Sequence, residues 1–283
     1  MEAMGIERFR EAKASEIKSL RELGREELER RALRAREAFT PPDFLKALEA
    51  GATSRGIAVI AEYKRASPSQ GEIESGVPPE AAAEAFREAD CISVLTEGRH
   101  FGGELAFLPR MTFQGAPLLR KDFVFHPLQI LDTVTYGASA VLLITRLLAG
   151  VAELREFILL ARSLGLAPVT EVLGGDDLEA ARSAGAGIIQ VNARDLDTLK
   201  VDFLASLRLA EASPPRPGEF FIAASGLRDA VDLKLARRCG FRGALIGTAL
   251  MRGGRLRENL AGFMEGLGAP GPQLTPPAGG RGK

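Results

Sequence analysis

The sequence predicts an α/β fold, a (β/α)8 or TIM barrel with an N-terminal helical extension. Three observations carry that prediction. Eight short apolar runs recur between residues 58 and 247, helical patterns lie between most of them, and polar or charged residues gather at the C-terminal end of run after run. Alternating strand and helix units imply a parallel sheet. Eight units in about 200 residues suit a closed barrel better than an open doubly wound sheet.

Taken in order, residues 5–22 set Ile6, Phe9, Ile17 and Leu20 among dense charge, the pattern of an amphipathic helix. Residues 42–50, opened by Pro41-Pro42-Asp43, predict another helix. Together these form an extension over residues 1–50, placed to close the barrel's bottom or to cover its active face. The barrel itself is expected over 51–267, with strands at 58–62, 91–96, 117–121, 140–145, 167–171, 187–192, 219–224 and 243–247. Between them, Leu154, Phe157, Ala161 and Leu164 recur at helical spacing before the stop Gly165. Val231, Leu235 and Cys239 do the same before Gly240, and the last helix carries Leu256, Leu260, Phe263 and Leu267. The Gly- and Pro-rich tail 268–283 has little to bury and is expected to be disordered.

Composition narrows the function classes. With 37 basic and 37 acidic residues the chain carries no net charge, whereas a nucleic-acid binder needs an excess of Lys and Arg. No apolar run is long enough to cross a bilayer, and no signal-peptide pattern is seen. Cys91 and Cys239 sit in apolar neighbourhoods, as buried thiols rather than a disulfide, so a cytoplasmic setting is expected. No nucleic-acid or membrane partner is therefore expected, and the chain is expected as a monomer or at most a weak homodimer.

The strand ends carry the chemistry. In order they present Glu62 and Lys64, Thr96 and Glu97, Lys121, Thr145, Glu171, Asn192 with Arg194, Ser225, and Gly247 with Thr248. In a β/α barrel such groups converge on one mouth. Two ammoniums and two carboxylates from different strands are the ingredients of general acid–base catalysis. The plainer alternative, ion pairs plugging the mouth, fits poorly because buried ion pairs are weak stabilisers. Small residues in Ala224-Ser225-Gly226 and Ile246-Gly247-Thr248 let backbone N–H groups approach an anion, and barrels often hold phosphate at these two loops. His100 and His126 lack metal-ligand spacing, so no metal site is expected. Phe101 and Phe123 suit either a wall for an aromatic substrate or plain core packing, and Phe101-Gly102-Gly103 is expected to be a loop.

These motifs resemble the indole-3-glycerol phosphate synthase family. The resemblance rests on Glu62-Tyr63-Lys64-Arg65-Ala66-Ser67-Pro68-Ser69, Ser93-Val94-Leu95-Thr96-Glu97, Phe101-Gly102-Gly103, Leu119-Arg120-Lys121-Asp122-Phe123 and Val141-Leu142-Leu143-Ile144. It continues through Thr170-Glu171-Val172, Val191-Asn192-Ala193-Arg194-Asp195-Leu196, Ala224-Ser225-Gly226 and Ile246-Gly247-Thr248-Ala249-Leu250-Met251, in order across residues 5–265. It implies conversion of 1-(2-carboxyphenylamino)-1-deoxyribulose 5-phosphate to indole-3-glycerol phosphate, releasing CO2 and water without a metal or organic cofactor. It further implies Lys121 as general acid in ring closure, Lys64 and Glu171 in the loss of water, and Glu62 and Asn192 orienting the array. Phosphate would rest on Lys64, Ser225, Gly226, Gly247 and Thr248. The anthranilate carboxylate would meet Arg194 and Ser67, and the aryl ring Phe101, Phe123, Leu142 and Leu196.

Two positions depart from the family pattern. Ala224 stands where a Glu is usual before Ser-Gly, and Gln190 replaces a usual Gly. Losing a carboxylate beside two lysines removes countercharge. Two alternatives therefore stay open, a catalytically weak paralogue that binds an anthranilate-like ligand, or another phosphosugar lyase or isomerase on the same barrel.

Overall fold

The first strand, β1 (Ala58–Tyr63), is buried along its whole length. Successive side chains of a strand point to opposite faces, and here both faces are covered. Ala58 and Ile60 pack in one apolar cluster with Leu119, Leu142, Val169, Ile188, Phe220 and Ile222, which is the barrel interior. Val59, Ala61 and Tyr63 pack in another with helix residues such as Ala82, Leu154 and Phe157, the layer between barrel and helices. A strand buried on both sides reads as a continuous apolar run, so the runs were visible in the sequence.

The computed structural model describes residues 5–112 and 115–267, so the expected disordered tail lies outside the described residues. After β1 come β2 (Cys91–Leu95), β3 (Leu118–Lys121), β4 (Ala140–Ile144), β5 (Ala167–Val172), β6 (Ile188–Asn192), β7 (Phe220–Ala224) and β8 (Gly243–Ile246). All pair in parallel, each with its sequence neighbours, and β1 pairs β8 to close the barrel. Every boundary lies within one residue of the sequence expectation. A two-residue ladder, Ala66–Ser67 against Gly71–Glu72, adds a small hairpin in the loop after β1 that the sequence did not reveal.

The N-terminal extension holds four helices, α1 (Glu7–Ala12), α2 (Ala14–Leu23), α3 (Arg25–Ala38) and α4 (Phe44–Arg55). The expected helix over 5–22 is thus broken near Lys13, and α3 was not foreseen, because its dense charge buries only Leu28 and Ala32. In α4 the Asp43 side chain accepts from Lys46 N as a cap. The extension reaches both ends of the barrel. Phe44 and Leu48 of α4 pack with Ala58, Ile60 and Cys91 near the strand starts. At the other end, Arg8 of α1 donates to the Leu196 carbonyl, and Phe9 stacks on Phe123 just beyond the end of β3.

The helix expected from Val231, Leu235 and Cys239 is present as Ala230–Arg238, but its inner face is Asp232, Leu233 and Ala236. Val231 is 68% exposed. Leu235 packs part-buried against the helix layer and Cys239 is buried, as expected, while Asp232 on the inner face is paired with Arg228. Leu256, Leu260, Phe263 and Leu267 are all buried, as expected.

Candidate active site

The rows that fill the barrel interior continue upward into polar side chains. On β1 the inward series Ala58, Ile60 ends at Glu62, on β3 Leu119 leads to Lys121, and on β5 Val169 leads to Glu171. On β6, Ile188 is followed by Gln190 and Asn192, and on β7 Ile222 is followed by Ala224. These ends line one cavity of about 820 Å³, its open mouth included, within the usual size of a small-molecule site.

Of the residues expected from sequence, Glu62, Lys64, Lys121, Glu171 and Asn192 line that cavity. So do Phe101, Phe123, Leu142, Arg194 and Leu196, together with Ser225, Gly226, Gly247 and Thr248. Ser67 is not in the lining; it sits in the small hairpin, buried, its hydroxyl without a hydrogen-bond partner. Leu95, Asp122, Ile144 and Leu245 also line the cavity and were not singled out beforehand. Period-two continuation of the inward rows would have found Leu95, Ile144 and Leu245.

Two pairs of opposite charge face each other across this space. Lys64 Nζ lies 2.8 Å from Glu62 Oε1. Burial pushes the Glu62 carboxyl up, but Lys64, Lys121 and Arg194 together outweigh it and hold the group below its ordinary range. Glu62 is therefore ionised at neutral pH. Lys121 Nζ lies 3.7 Å from Glu171 Oε2, beyond direct hydrogen-bond reach. Glu171 accepts instead from two amides, Gln190 Nε2 to Oε2 at 2.5 Å and Asn192 Nδ2 to Oε1 at 3.0 Å. Asn192 is held in turn by the Arg194 backbone N–H, which donates to its Oδ1. The Arg194 guanidinium donates to Ser69 Oγ and the Leu199 carbonyl, and burial lowers its pKa.

Below Lys121 the two neighbouring residues of the chain anchor it. Arg120 and Asp122 are fully buried and paired at 2.9 Å, and Asp122 also binds Lys13 Nζ at 2.7 Å and accepts from Thr96 Oγ1. Arg120 reaches Glu16 at 2.8 Å, so α2 is clamped to β3 beside Lys121. An Arg inside an otherwise apolar strand was the available signal for this cluster; its partners 104 to 109 residues away left none.

At β7 and β8 the backbone comes close to the cavity. Ser225 and Gly226 both adopt left-handed φ angles of 68° and 81°, a conformation that non-glycine residues rarely take. A Cβ on Gly247 would stand 2.2 Å from Glu62 Oε1 and 3.0 Å from Lys64 Nζ, so only glycine leaves that pair in place.

Other strand-end candidates are structural. Glu97 accepts from the N–H groups of Arg99, His100 and Phe101, capping a short helix, Gly98–Phe101; Phe101 ends that helix, and Gly102 and Gly103 form loop as expected. His126 caps the helix Pro127–Thr135. Thr145 Oγ1 donates to the Glu171 carbonyl.

A family model described as indole-3-glycerol phosphate synthase matches residues 6–263. The chain belongs to the indole-3-glycerol phosphate synthase family. It is 42% identical over 213 residues to the indole-3-glycerol phosphate synthase of Aquifex aeolicus, covering 74% of this chain and 80% of the relative. The enzyme of the same name from Mycolicibacterium gilvum is 40% identical over 231 residues, 81% of this chain and 82% of that one. Among solved structures, a 3-hexulose-6-phosphate synthase superposes with a TM-score of 0.61 at 14% identity, covering 74% of this chain and 99% of the other. That last likeness shows the barrel fold alone.

Both departures from the indole-3-glycerol phosphate synthase pattern fall on the inward rows. Ala224 pairs in register with Asn192 and lines the cavity. Gln190 stands between Glu171 and Ile222, fully buried.

Proposed function

We propose that this cavity closes the indole ring of 1-(2-carboxyphenylamino)-1-deoxyribulose 5-phosphate, releasing CO2 and water to give indole-3-glycerol phosphate. Family membership supports the reaction class, a decarboxylating carbon–carbon lyase. The observation that carries the reading at this site is Lys121 and Glu171 from different strands, 3.7 Å apart in a cavity that also holds Lys64 and both small-residue loops.

In this reading phosphate rests on Lys64 and the backbone of Ser225, Gly226, Gly247 and Thr248. The planar anthranilate carboxylate suits the guanidinium fork of Arg194; Ser67, outside the cavity lining, is not assigned that contact. The aryl ring lies against Phe101, Phe123, Leu142 and Leu196. As the aryl carbon bearing the carboxylate attacks the ketone carbon, Lys121 gives a proton to the developing alkoxide. CO2 then leaves its bonding pair to the ring, restoring aromaticity. Loss of the hydroxyl as water needs one proton delivered and one removed, for which Lys64 and Glu171 stand available. Glu62 holds Lys64, and Asn192 holds Glu171. With both thiols free and buried, the proposal keeps a cytoplasmic setting; the chain is taken as a monomer or at most a weak homodimer.

Indole-3-glycerol phosphate formation followed by fluorescence tests this directly, with turnover of the named substrate expected. Ala224 favours one second reading, a paralogue that binds anthranilate-like ligands with little turnover; saturable binding without product would establish it instead.

A further inference from the structure

We infer that Gln190 is a positioning residue that holds Glu171 apart from Lys121. Its side chain is fully buried on the inward row of β6, directly opposite Glu171 in the sheet register. Its Nε2 donates to Glu171 Oε2 at 2.5 Å, while Asn192 Nδ2 donates to Oε1 at 3.0 Å. One amide on each oxygen fixes the rotation of the carboxylate. The same Oε2 is the atom facing Lys121 Nζ at 3.7 Å. A donor already seated on Oε2 competes with the ammonium for it and keeps the acid and the base from collapsing into a hydrogen-bonded pair, in which each would neutralise the other.

A second observation separates this from ordinary packing. The other end of the same amide, Gln190 Oε1, is buried with no hydrogen-bond partner. An unpartnered buried carbonyl oxygen opposes folding, so an apolar side chain of equal size would serve the barrel at least as well. Gln190 is therefore placed for what its Nε2 does. The inference rests on the proposed role of Glu171 and deepens it.

The test is Gln190→Met, which keeps the volume and removes both the donor and the orphan acceptor. The expected result is a kcat ~10–100-fold lower, the scale of a small misplacement in a catalytic array, with KM within about twofold and the melting temperature equal or higher. A merely structural side chain would lower the melting temperature and leave kcat of the folded enzyme alone. Gln190→Glu gives an independent reading. A protonated carboxyl can still donate to Glu171, whereas an ionised one repels it, so activity relative to the unmodified enzyme should be kept at low pH and fall as pH rises. Glu171→Gln run alongside separates the two layers. If Glu171→Gln remains active, the role of Glu171 fails and this inference with it. If Glu171→Gln is inactive while folded Gln190→Met keeps full kcat, or Gln190→Glu follows the unmodified pH profile, the inference alone is overturned.

Discussion

Phe9 and Phe123 stack face to face, their ring centroids 3.9 Å apart and their planes inclined by 13°. Phe123 lines the cavity, and Phe9 comes from α1 in the N-terminal extension. The far face of a candidate substrate wall is thus built by a segment outside the barrel. Phe9→Ala should destabilise the fold by about 3–5 kcal/mol, as for other fully buried aromatics. Because Phe123 loses its backing, KM should rise by more than kcat falls. Equal loss in both, or an unchanged KM, would detach Phe9 from the substrate wall.

Lys121→Met is expected to lower kcat by ~10²–10⁴-fold, the usual worth of a positioned general acid, while substrate still binds. Among the described residues Lys121 makes one ion pair, with Glu171 at 3.7 Å. Single-turnover kinetics and a binding isotherm measure the two parts separately. A loss under tenfold would move the acid role to another group.

The strands were legible because a strand covered on both faces is apolar along most of its length: β4 and β7 are so at every position, and β1 up to Glu62. The site residues were legible for a topological reason: in a closed parallel barrel the strand ends converge whatever the loops do, so Glu62, Lys121, Glu171 and Asn192 could be gathered without contacts in hand. What stayed hidden was non-local. Nothing near Lys13 in sequence announces its bond to Asp122, and nothing in α3 announces burial of Leu28 and Ala32. Ser67 was read from its motif, yet the hairpin holding it keeps it out of the cavity lining. Gln190 was seen only as a departure, because its partner lies on the neighbouring strand.

Inorganic phosphate or sulfate should compete with substrate and raise the melting temperature. A ligand bound only to the native state stabilises it by about 2.7 kcal/mol at a hundred times its Kd. Gly247→Val should weaken both effects, since a side chain there meets Glu62 Oε1 and Lys64 Nζ. Thermal melts with and without phosphate give the answer; equal protection of the variant would place the anion elsewhere.

Asp122 makes acid stability a readout of the extension. Burial pushes its carboxyl up, but Lys13 and Arg120, with hydrogen bonds from Lys13 and Thr96, hold it down to about 2. The ordinary value is 3.8, so the folded state favours the ionised form. The resulting stability, on the order of 2 kcal/mol, is present above pH 4 or so and is lost as pH falls from there toward 2. Asp122→Asn leaves Arg120 and Lys13 short of countercharge and should cost about 3–5 kcal/mol at neutral pH. The variant should also show a flatter loss of stability between those pH values. Parallel stability curves for the two proteins would contradict the linkage.

Ala224→Glu tests the departure at strand seven. Ala224 is buried, lines the same cavity as Lys64 and Lys121, and pairs with Asn192 on one side and Leu245 on the other. A carboxylate added there lies among ammoniums and favours their charged forms. The alkaline limb of the pH–rate profile should therefore move to higher pH. A faster enzyme is not the expected result. Enlarging a side chain in a fitted site costs ~1–3 kcal/mol, and the Glu171–Gln190–Asn192 array has already formed around the smaller residue. The expected variant is folded, no faster, and shifted in pH. A well-folded variant with an unshifted profile would show that position 224 lies outside the electrostatic reach of both lysines, and that their charge balance is set by Glu62 and Glu171 alone.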